Sequence, residues 1–195
     1  FVSEYAFIKT LIEDGAIGMP AMVTSHKFDT LHVPTRMIGW AASTSPLFFM
    51  SSHDLDLVHW YVGRDPVEVV ARERRGVLDA RGVRVHDGLN VLMQLGEDVT
   101  ANFHASWIHP DSYPVLADGF LQIIGSEGTM TLDNRSRRLE LFNGRGGMTQ
   151  TFSGPHTAEE VGGRMAGAFT RSVASFVACI RDGREPDTSP RRARV

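Results

Sequence analysis

Between Pro66 and Phe142 apolar residues tend to recur at every second position, in runs cut by short clusters of glycine and acidic residues. A period of two marks strands that bury one face, and a chain with several such runs must build a sheet. In the longest, Val99 to Ile108, Ala101, Phe103, Ala105 and Trp107 alternate against Asn102, His104 and Ser106. Gly96-Glu97-Asp98 reads as the turn of a hairpin joining it to Leu89–Leu95, and Gly125-Ser126-Glu127-Gly128 as the turn between Leu121–Ile124 and Thr129–Leu132. Val67–Arg72 and Arg138–Phe142 are further strands, and the glycine-rich 144–154 segment has room for one more.

Helical spacing is confined to the flanks. Tyr5, Ile8, Leu11 and Ile12 predict a short helix stopped by Gly15, and Met19–Thr30 then reads as a strand in which Val23, Ser25 and Lys27 share one face. Residues 31–45, with Pro34 and Gly39, read as an irregular loop. Ser45 as N-cap and Pro46 in the first turn predict a helix to Tyr61 or Val62, with Gly63 as its stop. Its apolar residues go most of the way round, which predicts a buried helix. A late helix is expected around Met165, Phe169, Val173, Phe176 and Ile180, ended by Gly183 and Pro186. This order predicts one α+β domain over residues 1–195, with an open, mostly antiparallel sheet and helices on one face.

With 195 residues, 42% hydrophobic and 22% charged, and a formal net charge of −3, the chain has no basic stripe to attract nucleic acid. The arginines at 191, 192 and 194 read as a solvated terminus. No run approaches the ~18 apolar residues of a membrane span. Cys179 is the single cysteine and sits in the apolar run 177–180, as a small core residue does. A reducing, cytoplasmic setting is expected. The start, Phe1-Val2-Ser3-Glu4, reads as a chain entered in its middle.

No GxGxxG follows a strand, and neither a GxxxxGK loop nor a GxSxG elbow occurs. The 125–128 segment carries an acidic residue and no following helix, so it reads as a turn and not as a phosphate loop. The strongest chemical constellation is Ser52-His53-Asp54-Leu55-Asp56, with His53 and Asp56 one turn apart on one helical face. A carboxylate beside an imidazole favours general acid–base chemistry. A core histidine satisfied by its helical neighbour has the same pattern, and spacing alone favours that blander role. His104 and His109, five residues apart in a strand, are expected on opposite faces, and no metal site is expected.

Six segments in order resemble the second domain of the Gfo/Idh/MocA family, named for glucose–fructose oxidoreductase and inositol dehydrogenase. They are Leu11-Ile12…Gly15…Ile17-Gly18…Pro20, Arg36 with Trp40, His53…Asp56 with Trp60 and Gly63, Ser106-Trp107, Ile123…Gly125…Glu127-Gly128-Thr129, and Gly183…Pro186…Ser189. The resemblance implies an N-terminal Rossmann domain, absent from this chain, that binds NAD or NADP. It implies dehydrogenase action on a sugar, a cyclitol or a similar small polyol, and a homodimer or homotetramer formed through the open sheet. His53 then becomes the acid–base residue, with Asp56 orienting it, and Asp29, Arg36 and Trp107 line the substrate site. This chain alone would be inactive.

One departure stands out. The family's usual aspartate four residues before the histidine is Phe49 here. That substitution supports an alternative, a non-enzymatic ligand-binding or assembly module derived from the family.

Overall fold

The period-two runs fold into one open sheet of eight strands, in a computed structural model that describes residues 1–153, 157–186 and 188–189. Helix α1 (Ser3–Glu13) leads into β1 (Pro20–Thr30), and α2 (Ser52–Val62) follows. Then come β2 (Pro66–Arg74), β3 (Gly88–Leu95), β4 (Val99–His109), β5 (Ala117–Gly125), β6 (Gly128–Asp133), β7 (Arg138–Asn143) and β8 (Gly146–Thr151). A small ribbon, β9 (Glu159–Val161) with β10 (Arg164–Ala166), precedes α3 (Ala168–Asp182). Across the sheet the order is β2-β3-β4-β1-β5-β6-β7-β8. Every neighbouring pair is antiparallel except β1 and β4, which run parallel with Ser25 opposite Phe103. The expected α+β fold is therefore the fold seen, with β1 inserted at its centre.

One face of the sheet is the core. Val23, Phe103, Leu121, Ile123, Met130, Leu132 and Leu139 bury there against Ile8 of α1 and Val58 and Tyr61 of α2. A second cluster gathers Val33, Ala41, Met50, Leu78, Val85, Ala105 and Trp107, and it pins the segment before α2 to the sheet. Among the described residues no helix covers the other face. Met22, Val70, Leu92, Ile124 and Phe142 stand exposed on it, Val70 beside Leu92 in one cross-strand row and Met22, Ile124 and Phe142 in the next.

Two of the family-like segments are structural partners. The 125–128 turn docks on the segment after α1: Ser126 and Glu127 donate their N–H groups to the carbonyls of Met19 and Ile17, each at 2.9 Å. A Cβ on Gly125 would overlap the carbonyl oxygen of Ile17, so close backbone approach requires glycine there.

Several expectations need correction. The loop over 31–45 contains two short helical turns, Val33–Met37 and Ala41–Ser43. The predicted helix from Pro46 opens with a wide turn, Leu47–Ser51, before α2 proper. Ser45 still caps it, accepting the Phe48 N–H at 3.2 Å, and Gly63 ends it with φ 65°. That helix is not buried all round. It lies against a single layer, so Asp54, Val58 and Tyr61 turn inward while His53, Asp56 and Trp60 are exposed. Met165 belongs to β10, and α3 buries Ala168 and Cys179 while Phe169, Val173, Phe176, Val177 and Ile180 face outward.

His104 and His109 were expected on opposite faces. A register shift between β1 and β4 after Phe28 breaks the alternation and brings the His109 ring to 5.3 Å from that of Phe28, which stacks on His26 at 4.4 Å. His26 senses the charges of both other histidines, so all three belong to one neighbourhood of the uncovered face. The arginines at 191, 192 and 194 lie outside the described residues.

Candidate functional site

The residue after His53 organises the site. Asp54 points inward and its carboxylate lies 3.0 Å from the ammonium of Lys27, both side chains being largely buried. Lys27 is the one cation in the inward-facing set of β1, and an inward charge on a strand must find a counter-ion. Burial pushes the Asp54 carboxyl up, against the pull of Lys27. Among the described residues one of its oxygens, Oδ2, has no well-aligned hydrogen-bond partner, and the Ser25 hydroxyl opposes the upward push alongside Lys27.

Asp29, two residues along β1, is also buried, at 4% exposure. Burial pushes its carboxyl up to about 6, and Lys27 opposes the shift. Both carboxylates thus feel the same buried ammonium. Tyr5 closes the far side: its hydroxyl accepts from Asn134 and its carbonyl from the Tyr61 hydroxyl, each at 3.0 Å.

His53 and Asp56 lie above this cluster on the exposed side of α2. No hydrogen bond joins them, so Asp56 acts on the imidazole only through its charge. Partial desolvation and the Lys27 ammonium push His53 below the usual histidine range, while Asp56 pulls the other way. Position 49 adds no anion. The Phe49 ring packs at 5.6 Å from Trp40 and 6.1 Å from Trp107.

The other expected site residues are spread out. Arg36 is exposed, pairs with Asp111 at 3.4 Å, and lines a cavity of about 260 Å³ with Thr30, His32 and Tyr113, which neither His53 nor Asp56 reaches. Trp107 has no exposed surface, and its indole N–H donates to the carbonyl of His86 at 2.7 Å. It is a core side chain, and the expectation that it lines the substrate site is corrected accordingly. The core-facing alternation of β4 had already pointed inward. Sequence reading passed over Lys27 and Asp54, although a lysine aligned with Val23 and Ser25 was the available signal.

Asp29 yields a pH prediction. A carboxyl whose folded value lies above its ordinary 3.8 binds its proton more tightly folded than unfolded. Its destabilisation is therefore absent below about 3.8 and complete above about 6, so stability falls as pH rises between the two. Asp29→Asn is expected to stabilise the fold at pH 8 by at most about 3 kcal/mol, and to change nothing near pH 3. Thermal melts at the two pH values check this.

The nicotinamide dinucleotide implied by the resemblance does not fit the residues present. Among the described residues no glycine-rich loop leads from a strand into a helix N-terminus, the arrangement that cradles a pyrophosphate. No described helix is long and apolar enough to cross a membrane.

An open antiparallel sheet with one parallel central strand, carrying an HxxD helix on its covered face, defines the class. Residues 5–131 match the GFO/IDH/MocA C-terminal domain, and the chain belongs to that family. Inositol 2-dehydrogenase from Rhizobium meliloti (strain 1021) is 25% identical over 188 residues, which are 95% of this chain and 53% of that protein. The chain thus spans about half the length of this curated relative. Among solved structures, aldose-aldose oxidoreductase from Caulobacter crescentus, complexed with glycerol, superposes with a TM-score of 0.77 at 19% identity, over 99% of this chain and 55% of the other. An oxidoreductase from Agrobacterium radiobacter, in complex with NAD+, L-tartaric acid and magnesium, gives 0.75 at 16% identity, over 98% and 56%. Likenesses at these identities establish the fold.

Proposed function

We propose that this chain is the substrate-binding domain of an NAD(P)-dependent oxidoreductase acting on a cyclitol, a sugar or a similar small polyol. The observation that carries the reading is an accessible imidazole, His53, set over a buried charge cluster in a chain of this family. The relatives named above are a cyclitol dehydrogenase and a sugar oxidoreductase, and one neighbour was solved with NAD+. The dinucleotide is assigned to a part of the protein outside this chain. The chain's own contribution is to bind the polyol and to exchange a proton between its hydroxyl and His53, with Asp56 favouring the protonated imidazole. Because His53 leans towards its neutral form, it is suited to accept that proton.

The test is cofactor-linked oxidation by the complete protein, with inositols and aldoses offered against NAD+ and NADP+. Turnover of at least one such polyol is expected. Polyol binding without turnover would overturn the enzymatic reading in favour of the binding module that Phe49 supports.

We assign the protein to the cytoplasm, as its lone buried cysteine suits. The uncovered sheet face is the self-association surface, since a sheet that exposes apolar side chains wants cover. Leu92 and Ile124, 46% and 39% exposed, stand on that face. The double change Leu92→Lys with Ile124→Lys is expected to weaken association by a hundredfold or more. Light scattering on the eluting species would show the mass fall to a monomer's, and an unchanged mass would place the interface elsewhere.

A further inference from the structure

Lys27 is the unassigned group nearest the proposed chemistry. It extends from the inward face of β1 to the turn of α2 that bears His53, because the carboxylate it meets at 3.0 Å belongs to the very next residue, Asp54. A buried ion pair is a poor device for stability, since desolvating both charges offsets most of their attraction. Meanwhile the turn before His53 presents the Phe49 ring, packed edge-on to Trp40 and tilted against Trp107, where it contributes no charge. The charges that act on the imidazole include Lys27 from β1 and Asp56 from its own helix, with the Asp54 carboxylate held against the ammonium. Asp29 and Asp54 face Lys27 from β1 and α2, and Tyr5 feels it from α1.

We propose that Lys27, clamped by Asp54 next to His53 on the same helix, is a positioning residue of the His53 site that keeps the imidazole in its proton-accepting form. The proposal rests on the acid–base reading of His53. A positive charge near the imidazole disfavours a second one. Asp54 fixes where that charge sits. His53 partial desolvation acts in the same direction, and Asp56 against it.

The test uses the complete protein, with Lys27→Met, Lys27→Arg and the paired Lys27→Met with Asp54→Leu. The paired change removes both buried charges together, so it keeps a folded variant in hand should Lys27→Met alone leave Asp54 stranded and unfold. Two readouts are taken: the NMR titration of the His53 ring, assigned by its loss in His53→Gln, and the pH profile of kcat/KM. On removing Lys27, the His53 midpoint is expected to rise by about half a pH unit to one unit. The acidic limb of kcat/KM should rise with it, and kcat should fall at least tenfold with KM little changed. Lys27→Arg, which retains the charge, should restore the midpoint. A His53 midpoint unmoved in folded Lys27→Met, or a kcat unmoved in the paired variant, overturns the proposal. Turnover unchanged in His53→Gln overturns the acid–base reading instead, and the ring titration still judges the electrostatic link on its own.

Discussion

His53→Ala is expected to lower the turnover of the complete protein by about 10² to 10⁴ while leaving its melting temperature nearly unchanged. The first figure is what a positioned general acid–base residue ordinarily contributes. The second follows from where the side chain sits. His53 projects from the exposed side of α2 and makes no hydrogen bond among the described residues, whereas the helix is held by Val58, Tyr61 and the Asp54–Lys27 pair on its opposite side. The two measurements together separate the roles that helical spacing left open. A core histidine satisfied by its neighbour would lose stability on truncation, by the cost of a cavity and of an orphaned partner. A site histidine loses rate. Unchanged turnover at unchanged stability would remove His53 from the mechanism. Added imidazole restoring part of the rate would point to the missing base itself.

The sheet was legible because its signal is local and redundant. The central strands declare their buried face by alternation, and the β3–β4 and β5–β6 turns supply their own glycines, so the β4 pattern from Val99 to Trp107 and the 125–128 turn both stand where spacing put them. The insertion of β1 between β4 and β5 has no such signal, since pairing across more than seventy residues leaves no trace in the neighbouring sequence. The site failed for a related reason. Its inward cluster depends on the phase of α2, and the wide turn Leu47–Ser51 resets that phase ahead of His53. Counting helical positions from Pro46 put apolar residues most of the way round and missed that Asp54 turns inward. Only its meeting with Lys27, itself on the core-facing side of β1, reveals the buried pair. His109 escaped for the same kind of reason, because a register shift undoes an alternation that is regular up to Ser106.

Trp107 supplies the second large effect and decides its own role. Trp107→Ala is expected to destabilise the fold by about 3–5 kcal/mol, the usual cost of truncating a large aromatic in a packed core. In a domain of this size that corresponds to a fall in Tm of roughly 10 °C. The indole is fully buried, packs with Val33, Ala41, Met50, Leu78 and Val85, and spends its N–H on the His86 carbonyl. Trp107→Phe keeps much of the volume and loses that bond, so it should cost less, about 1–2 kcal/mol. Because this cluster ties the segment before α2 to β4, the alanine variant should also loosen the turn that presents Phe49 and His53, and turnover should fall with stability. A lining residue would behave in the opposite way. Its loss would raise KM and leave the melt where it was, and that result would return Trp107 to the substrate site.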